Sequence, residues 1–527
     1  MKKNISLILF LFIGFSVISQ PLYIDWQQCH GGTKRDIGRS VVFDNNYLIT
    51  LSTSRSNNFD VSFNYGEVDF WLFKADETGN ILWEKSYGGS DDDLPIELML
   101  APDGGFVLFG ETWSDDGDVS GNHGGADYWL VKTDSVGNLL WQRSLGSSMN
   151  NLPSDMDMDD EGNIYIIGLS LGTGGDVTAN NGSYDYWFLK INSLGTVVWD
   201  KNLGGVYGDF GMCIATTPDG GVIVGGLTDN GNVFCNTEPF NATAWLTKLD
   251  SVNNIEWQQC YGGSYTENII DLKTTNDGGY VLLAITNSDD GDVSGFHGAT
   301  GTNDNFDLWV IKTDSIGVIE WQRCLGGTKN ENADFIKTTP EGNYIIGGTT
   351  NSNDGDVSGN HSTGDYYDQW IVKLNPQGMI MWQKCIGSGW NNSLSDASIL
   401  SESEIILIGS TPENNDGDVS CNFKGGGDAW MYKLIDTTVN INELELYNSK
   451  IKVYPNPAGS VLNINFPQNI DTKNTFVEII DINGRTLLKS KSLSALSQLD
   501  ISKINSGIYL VKIQNDKTFI TRKIIIE

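Results

Sequence analysis

The sequence predicts an all-β protein: a seven-bladed β-propeller closed by its N-terminal strand, followed by a small antiparallel β-sandwich (Ig-like). Three observations predict it. A Trp followed by a polar pair recurs seven times, from Trp26 to Trp382, at intervals of 57 to 64 residues. A second Trp recurs in phase seven times, from Trp71 to Trp430. Each repeat also divides into four short runs rich in Val, Ile, Leu, Tyr and Trp, separated by Gly-bearing turns and lacking a helical period.

The two ends of the repeat array predict how the propeller closes. The first repeat begins at the Trp26 segment without a pairing strand, and the last ends at the Trp430 segment without a successor. Pairing YIDWQQC with DAWMYKL completes the seventh sheet and leaves no open edge. The alternative, an open array or a stacked solenoid, exposes two edges. The first Trp of each later repeat is interpreted as a structural mark, namely Trp83, Trp141, Trp199, Trp257, Trp321 and Trp382.

Composition changes along the chain indicate four segments. Residues 1–20 join two lysines to an apolar run and predict a cleaved secretory signal peptide. The propeller repeats occupy 21–435, and 436–448 is a polar linker. Residues 449–527 contain alternating strands with Asn-Gly and Ser-Gly turns, which predict the sandwich. No later stretch is apolar enough to cross a bilayer, so we expect no transmembrane segment in the mature chain.

The charge of the chain limits the classes of binding partner, and the positions of the cysteines predict the state of their thiols. The chain carries 67 Asp and Glu against 33 Lys and Arg, a net charge of −34, which repels phosphate backbones and predicts no nucleic-acid partner. Four of the seven cysteines, Cys29, Cys260, Cys324 and Cys385, share a repeat position that elsewhere holds Ser or Asn. We therefore expect four buried free thiols. Cys213, Cys235 and Cys421 can include one bridge, but the sequence does not pair them.

A decapeptide, SDDGDVSGNH at 114–123, recurs with small changes in several repeats. Its alternating oxygen-bearing side chains favour calcium, the one cofactor that the sequence suggests, although no glutamate stands at the twelfth position of an EF-hand loop. The hypothetical metal ligands are Asp116, Asp118, Asp290, Asp292, Asp354, Asp356, Asp416 and Asp418. The competing interpretation is a structural turn, because Asp and Asn before Gly bond their own backbone.

Catalytic constellations are absent from the sequence, so no catalytic residue is predicted and a non-enzyme is favoured. His123, His297 and His361 occupy one repeat position, where three separate repeats cannot converge on one metal. We expect them to be exposed loop residues. The sialidase, WD-repeat, kelch, nucleophile-elbow, zinc-helix and phosphate-loop patterns all fail. Paired carboxylates abound and leave a glycosidase open.

Four blocks of the last 75 residues or so resemble the type A sorting domain of the type IX secretion system of Bacteroidetes. They are VYPNP at 453–457, DINGR at 481–485, SGIYLVK at 506–512 and RKII at 522–525. The residues that carry the resemblance are Tyr454, Pro455, Asn456, Pro457, Asn483, Gly484, Gly507, Tyr509, Lys512, Arg522 and Lys523. The resemblance implies export across both membranes by the type IX machinery, with the protein secreted or attached to the outer cell surface.

These observations predict a secreted or surface propeller cargo that binds a glycan or a protein. The two longer connections of each repeat fall on one face of the disc, and function concentrates on such loops. The alternatives are an extracellular polysaccharide hydrolase or lyase, and a purely structural surface protein.

Overall fold

The computed structural model describes residues 22–229, 234–235, 242–302, 305–362, 364–412, 415–437, 452–465, 476–481, 485–491, 496–514 and 519–527. The described residues form strands and turns and contain no helix. Accordingly, nothing in this part of the chain is a helix long and apolar enough to cross a membrane. The chain divides into two compact units, Leu22–Asp436 and the remainder. The predicted signal peptide and most of the predicted linker lie outside the described residues.

The first unit contains seven four-stranded antiparallel sheets, which we number by position along the chain. The first strand, β1 (Tyr23–His30), belongs to the last of them. Sheet 1 contains β2 (Asp36–Asp44), β3 (Tyr47–Ser54), β4 (Asp69–Ala75) and β5 (Ile81–Tyr87). Sheet 2 contains β6 (Asp93–Leu100), β7 (Phe106–Thr112), β8 (Asp127–Thr133) and β9 (Leu139–Leu145). Sheet 3 contains β10 (Asn151–Met158), β11 (Ile164–Leu171), β12 (Tyr184–Ile191) and β13 (Val197–Leu203).

The remaining four sheets repeat this order of strands. Sheet 4 contains β14 (Asp209–Thr216), β15 (Val222–Thr228), β16 (Thr243–Leu249) and β17 (Ile255–Tyr261). Sheet 5 contains β18 (Glu267–Thr274), β19 (Tyr280–Thr286), β20 (Asp307–Thr313) and β21 (Ile319–Leu325). Sheet 6 contains β22 (Glu331–Thr338), β23 (Tyr344–Thr350), β24 (Asp368–Leu374) and β25 (Ile380–Ile386). Sheet 7 contains β26 (Ser393–Ile399), β27 (Glu404–Thr411), β28 (Asp428–Ile435) and β1.

The N-terminal strand completes sheet 7, as the sequence predicted. β1 pairs antiparallel with β28, and Cys29 lies opposite Trp430. Each sheet packs against the next along the chain, and β2 of sheet 1 also packs against β26 of sheet 7. At this last boundary the Ser40 hydroxyl donates a hydrogen bond of 2.9 Å to Asp396. Sheet 7 therefore meets sheet 1 as any other sheet meets its neighbour.

The first Trp of each repeat packs against the next sheet. Gly137, in the turn between β8 and β9, has a φ of 79°, and a Cβ there would lie 3.0 Å from the Trp83 ring of sheet 1. Gly195 stands in the same relation to Trp141. The turn therefore requires glycine both for its left-handed backbone and for the indole beside it. This contact accounts for the joint recurrence of the Trp and the Gly-bearing turn.

The second Trp of each repeat lies in the core. Trp129 is fully buried, and its indole N–H donates a 3.0 Å hydrogen bond to Gln142 on the neighbouring strand. Gln142 in turn donates a 2.7 Å hydrogen bond to the Ser120 hydroxyl of the decapeptide loop. The same connection recurs in sheets 5, 6 and 7. In these four sheets the glutamine after the first Trp thus joins the core to this loop.

Two of the four predicted free thiols are instead in disulfides. Cys29 pairs with Cys421 and Cys260 pairs with Cys235, whereas Cys324, Cys385 and Cys213 are free and buried. The prediction was therefore wrong for Cys29 and Cys260 and correct for Cys324 and Cys385. The shared position faces the long loop of its own sheet, so a bridge forms only where that loop also carries a cysteine.

The C-terminal unit contains two small antiparallel sheets. The first contains β29 (Lys452–Tyr454), β30 (Val461–Asn465) and β33 (Leu496–Asp500). The second contains β31 (Phe476–Ile480), β32 (Thr486–Lys491), β34 (Gly507–Gln514) and β35 (Phe519–Ile526). Buried residues of both sheets, among them Leu462, Ile464, Val477 and Val511, form one hydrophobic cluster.

Candidate functional site on the loop-side face

The decapeptide loops join the second and third strands of the sheets, on the face that we call the loop-side face. In the loop 113–126 each residue of the motif GDVS has a structural partner. Asp116 accepts a 2.7 Å hydrogen bond from the backbone N–H of Ser90, and Val119 is buried. Gly117 has a φ of 65°, and a Cβ on it would collide with the Gly88 carbonyl oxygen. The recurrence of the motif follows from these contacts.

The aspartate of the GDVS motif contacts a side chain of the preceding sheet. His123 in the loop of sheet 2 places Nδ1 2.8 Å from Asp127 of its own sheet and Nε2 3.5 Å from Asp176 of sheet 3. His297 lies in the same way between Asp307 and Asp356, and His361 lies between Asp368 and Asp418. At two other boundaries the histidine is replaced by Lys424, which is 3.1 Å from Asp60, and by Tyr65, which hydrogen-bonds Asp118. These side chains tie adjacent sheets together.

The three histidines are therefore only partly exposed. Their side chains retain 31%, 28% and 32% of their accessible surface. The expectation of simple exposed loop residues missed these contacts, because one of the two partner carboxylates comes from the next repeat.

In six of the seven repeats an aspartate stands two residues before the second Trp and anchors the loop that precedes it. Asp428 accepts the backbone N–H of Lys424 at 2.8 Å, and Asp307 accepts that of His297 at 3.0 Å. Both carboxylates are fully buried, and burial raises the pKa of Asp428 to about 7 and that of Asp307 to about 6. These carboxyl groups hold the preceding loops in place. The backbone N–H groups that donate to them reduce the free-energy cost of removing the carboxyl groups from water.

The hypothetical calcium ligands lie on this face but do not come together in one cluster. Asp290, Asp354 and Asp416 each accept a backbone N–H, as Asp116 does. Asp292 accepts the N–H of Gly262 at 3.2 Å. Within the described ranges no group of three or more His, Cys, Asp or Glu side chains is arranged to hold a metal. Calcium binding stays a prediction, and these carboxylates have protein partners without it.

A second loop on the same face carries side chains that differ between repeats. It joins the last strand of one sheet to the first strand of the next and follows a Gly-Gly or Gly-Ser pair. Counted from the first Gly of this pair, the residues at the fourth position are Lys34, Asp91, Met149, Tyr207, Tyr265, Lys329 and Trp390. All seven project outward, and the exposed fractions of Met149, Tyr207, Tyr265 and Trp390 are 47%, 56%, 39% and 50%. The Gly-Gly or Gly-Ser pair repeats in all seven loops, whereas this ring of side chains does not.

The largest of these side chains belongs to an aromatic pair. The rings of Trp390 and Tyr366 are 5.1 Å apart, and both are substantially exposed. Asn391 accepts the backbone N–H of Tyr367 at 2.9 Å, which fixes the two loops together. The Tyr367 hydroxyl accepts a hydrogen bond from Asn330 at 3.2 Å. We call Trp390, Tyr366 and Asn330 the aromatic patch.

The first strands of all seven sheets line one cavity, which we call the central cavity. Its volume is about 120 Å³. The lining residues are Arg39, Ser40, Ile96, Glu97, Ser154, Asp155, Met212, Ile270, Asp271, Lys273, Asp334, Phe335, Lys337, Ser395 and Asp396. The first strand is therefore the innermost strand of each sheet.

Most charges in the central cavity are paired. Lys273 is 2.7 Å from Asp271, and Lys337 is 2.8 Å from Asp396. The carboxylates also cover the edge of the next first strand, since Asp271 accepts the N–H of Ile336 at 2.8 Å and Asp396 that of Val41 at 3.0 Å. Carboxylates thus satisfy backbone donors that no further strand pairs.

Two acids of the central cavity have raised pKa values. Burial and the adjacent Asp155 raise the pKa of Glu97 well above its usual value, and burial raises the pKa of Asp155 to about 6. Glu97 and Asp155 also accept the backbone N–H groups of Met156 and Ile214, at 2.8 and 2.7 Å. Because these bonds fix both carboxyls against strand edges, their first role is structural.

Two clefts outside the central cavity are larger than it is. One of about 580 Å³ lies between turns of sheets 5 and 6 and includes Thr275, Asp277, Glu341 and Pro376. It faces the tight turns, opposite the loop-side face. Another, of about 540 Å³, lies in the C-terminal unit near Arg485 and Tyr509. Neither contains an unpaired cluster of reactive side chains among its lining residues.

The sorting-motif residues that the structure describes frame the C-terminal unit. Asn456 accepts the backbone N–H of Ile525 at 2.8 Å and donates to the Lys523 carbonyl at 3.3 Å. This joins the YPNP and RKII blocks. The Tyr509 hydroxyl donates to Asn505 at 2.8 Å. Asn483 and Gly484 lie outside the described residues.

Comparison with known proteins supports the assignment of this unit. Residues 452–527 match the family described as secretion system C-terminal sorting domain. The sequence-based recognition of a type IX sorting domain is thereby confirmed, and the domain implies export to the cell surface or secretion. No curated protein matches the chain.

Several solved structures are similar in fold. PorZ, a surface component of the type IX secretion system of Porphyromonas gingivalis, has 11% identity and a TM-score of 0.40, and the match covers 92% of this chain. The chain spans 59% of the length of PorZ. A PL25 ulvan lyase bound to -[GlcA(1-4)Rha3S]- has 9% identity and a TM-score of 0.46, covering 79% of this chain and 95% of the lyase. A DUF4221 member from Bacteroides vulgatus has 8% identity and a TM-score of 0.35, covering 79% and 99%.

Proposed function

We propose that the protein is an exported seven-bladed β-propeller, closed by β1, whose loop-side face binds glycan at the cell surface or outside the cell. The proposal takes 1–20 as signal peptide, 21–435 as propeller, 436–448 as linker and 449–527 as an Ig-like sorting domain of a Bacteroidetes type IX cargo. The seven four-stranded sheets and the pairing of the chain ends support the propeller. The match at 452–527 supports the export route.

The observation that carries glycan binding is the ring of exposed side chains that vary from repeat to repeat. Every residue that the repeats share has a structural partner, so shared residues explain the fold. The variable position, by contrast, exposes Trp390, Tyr207 and Tyr265, although water-exposed aromatic rings contribute nothing to the core. Residues that are large, exposed and free to differ between repeats are those that a ligand selects.

The chemistry around the aromatic patch suits sugars better than proteins. Trp390 and Tyr366 offer an apolar surface on which a sugar ring can stack, and Asn330 and Asn391 offer amide donors and acceptors beside it. The exposed aromatic residues are separated by polar loops, whereas a stable protein partner covers a contiguous patch of larger area. A linear polysaccharide can touch such separated rings in succession.

Binding is tested with a Trp390→Ala variant of the full chain, in affinity gel electrophoresis and on a glycan array. We expect the variant to lose at least tenfold in affinity and to melt at the same temperature as the parent chain. Leu194→Ala is the matched control, since Leu194 is 75% exposed and lies in a tight turn of the opposite face. Equal binding by the parent chain and both variants contradicts the proposal.

A second candidate is a polysaccharide hydrolase or lyase, which the Glu97–Asp155 pair favours. Both acids of the pair have raised pKa values, and a raised pKa is what a general acid requires. The cavity of about 120 Å³ that holds the pair is much smaller than ordinary ligand sites, which begin at roughly 300 Å³. Release of reducing ends or unsaturated products that stops in Glu97→Gln supports this alternative over simple binding.

A further inference from the structure

Arginine is concentrated at one place in the first unit. The unit has five arginines, and three of them, Arg35, Arg39 and Arg55, lie in the loop-side part of sheet 1. The chain carries a net charge of −34, so a cluster of three guanidinium groups is unexpected on charge alone. Arg55 is near two carboxylates, at 3.8 Å from Glu67 and 4.0 Å from Asp92.

Arg39 differs from the other cations of the central cavity. Its Nε is buried and has no hydrogen-bond partner within the described part of the chain, and the same holds for the Asp334 Oδ2 atom. Lys273 and Lys337, in contrast, each make an ion pair shorter than 3 Å. An unpartnered buried donor is costly, and guanidinium groups commonly bind a carboxylate, a phosphate or a sulfate.

The surroundings of Arg39 add donors to this position. Burial raises the pKa of Asp334 to about 8, in opposition to the nearby Arg39, so the carboxyl is mainly protonated at neutral pH and can donate a hydrogen bond. Burial and the Arg35 cation lower the pKa of Arg39, whereas the Asp334 and Glu111 carboxyl groups oppose this shift.

An exposed aromatic ring stands beside these cations. Trp113 is 42% exposed, and its indole hydrogen-bonds Glu111, whose carboxylate interacts with Arg39. The Trp113 backbone N–H donates to the Asp92 carbonyl at 2.9 Å, and the Asp92 side chain faces Arg55. Trp113, Arg39 and Arg55 therefore belong to one site at the loop-side mouth of the central cavity.

We infer that this site recognises the acidic groups of a polysaccharide, a uronate carboxylate or a sulfate ester, with Arg39 as the principal anion-binding residue and Trp113 as a stacking surface for the sugar. The inference rests on the proposed glycan-binding function and adds the charge class of the ligand. Arg39 offers a planar fork of donors that matches carboxylate and sulfate oxygens. Asp334 in β22 is two residues from the exposed Asn332, which accepts a 3.0 Å hydrogen bond from Asn330 of the aromatic patch.

The test measures binding of the full chain to polygalacturonate, dextran sulfate and neutral dextran by affinity electrophoresis and calorimetry. We expect the acidic polymers to bind at least tenfold more tightly than neutral dextran, and added NaCl to weaken only the acidic ones. Arg39→Gln is expected to remove this preference. Arg35→Gln, at an exposed position that cannot disturb the core, is expected to reduce it severalfold.

The control is Arg143→Gln, because Arg143 bonds the Gly195 carbonyl at 2.9 Å on an outer strand, away from the central cavity. Thermal melting of each variant separates loss of binding from loss of folding. Unchanged acidic binding by both Arg39→Gln and Arg35→Gln overturns the inference. Equal binding of acidic and neutral polymers overturns it but leaves the proposed function intact, and binding of none overturns both. A preference for one acidic polymer identifies the carboxylate or the sulfate as the recognised group.

Discussion

The Nε2 atom of His361 lies 3.5 Å from the Oδ2 atom of Asp418, across the boundary between sheets 6 and 7. The Nδ1 atom of the same ring lies 2.8 Å from Asp368 of sheet 6. A single imidazole thus joins the loop anchor of one sheet to the decapeptide loop of the next. Because the same arrangement recurs at two other boundaries, histidine contacts link neighbouring sheets at three places.

A double-mutant cycle tests the contact between His361 and Asp418. His361→Gln and Asp418→Asn are expected to couple by about 0.5 to 1 kcal/mol in the free energy of unfolding, a small value because both side chains remain partly exposed. Urea denaturation of the two single variants and the double variant measures the coupling. The control cycle combines His361→Gln with Asp176→Asn, which lies at a different boundary and should add without coupling. Additivity in the first cycle contradicts the contact.

The glycine of the GDVS motif is expected to be indispensable for sterics as well as for its backbone angle. Gly117→Ala places a methyl group against the Gly88 carbonyl, whereas Gly104, with a φ of 81°, has open space around it. Both alanines cost about 1 kcal/mol for the left-handed backbone. We expect Gly117→Ala to lower the melting temperature by several degrees more than Gly104→Ala. Equal losses in differential scanning calorimetry refute the steric part.

The Cys29–Cys421 bridge is expected to stabilise the closure of the first unit. It joins β1 to the loop before β28 with a sequence separation of 392. Restriction of so long a loop in the unfolded chain is worth about 4 kcal/mol or more in the chain-entropy account. Cys421→Ala should therefore unfold at a lower denaturant concentration than the parent chain.

Unfolding in the presence of a reducing agent is the control for the effect of Cys421→Ala. In dithiothreitol the parent chain should unfold at the same denaturant concentration as Cys421→Ala, and the remaining bridge between Cys235 and Cys260 is then open in both. A difference that persists under reduction means that the alanine acts through packing rather than through the bridge.

The buried loop anchors predict that stability falls as pH rises. In the folded chain the pKa of Asp69 is about 7 and that of Asp428 about 7, both raised by burial from an ordinary value of 3.8. A carboxyl group whose pKa is raised by folding stabilises the fold fully at pH values below its pKa in the unfolded chain. This stabilisation is lost as the pH rises through the pKa of the group in the folded chain. We expect a higher melting temperature at pH 5 than at pH 8.

Asp428→Asn should flatten this pH dependence, because the amide keeps an oxygen for the Lys424 N–H and does not ionise. Asp365→Asn is the control, since the Asp365 side chain is 97% exposed and should not contribute. A melting temperature that rises between pH 5 and pH 8 would show that other groups control the pH dependence.

The calcium hypothesis makes a separate prediction. If the GDVS loops hold calcium through residues such as Asp116 and Asp354, chelation should lower the melting temperature and added calcium should restore it. Asp116→Asn combined with Asp354→Asn should then reduce the response to chelation. Identical melting curves with and without chelator would leave the carboxylates with their structural hydrogen bonds alone.

Much of the fold follows from the repeat itself. The two Trp series and the Gly-bearing turns predicted four-stranded units, and the missing strand at each end predicted that Tyr23–His30 pairs with Asp428–Ile435. The C-terminal blocks predicted the sorting domain because its motif residues are local in sequence. Local patterns of this kind are visible without coordinates, since each reports a turn, a strand face or a short motif.

The sequence by itself determined the repeating strands, the closing pair and the export signal. Only the tertiary structure decided which side chains meet between segments far apart in sequence: Cys29 with Cys421 within sheet 7, and His361 with Asp418 between sheets 6 and 7. The aromatic patch is similar, because Trp390 and Tyr366 come from loops of two successive sheets. The physical reason is that such pairs depend on how neighbouring sheets pack, and the periodicity of a single repeat carries no information about the residue opposite in the next one.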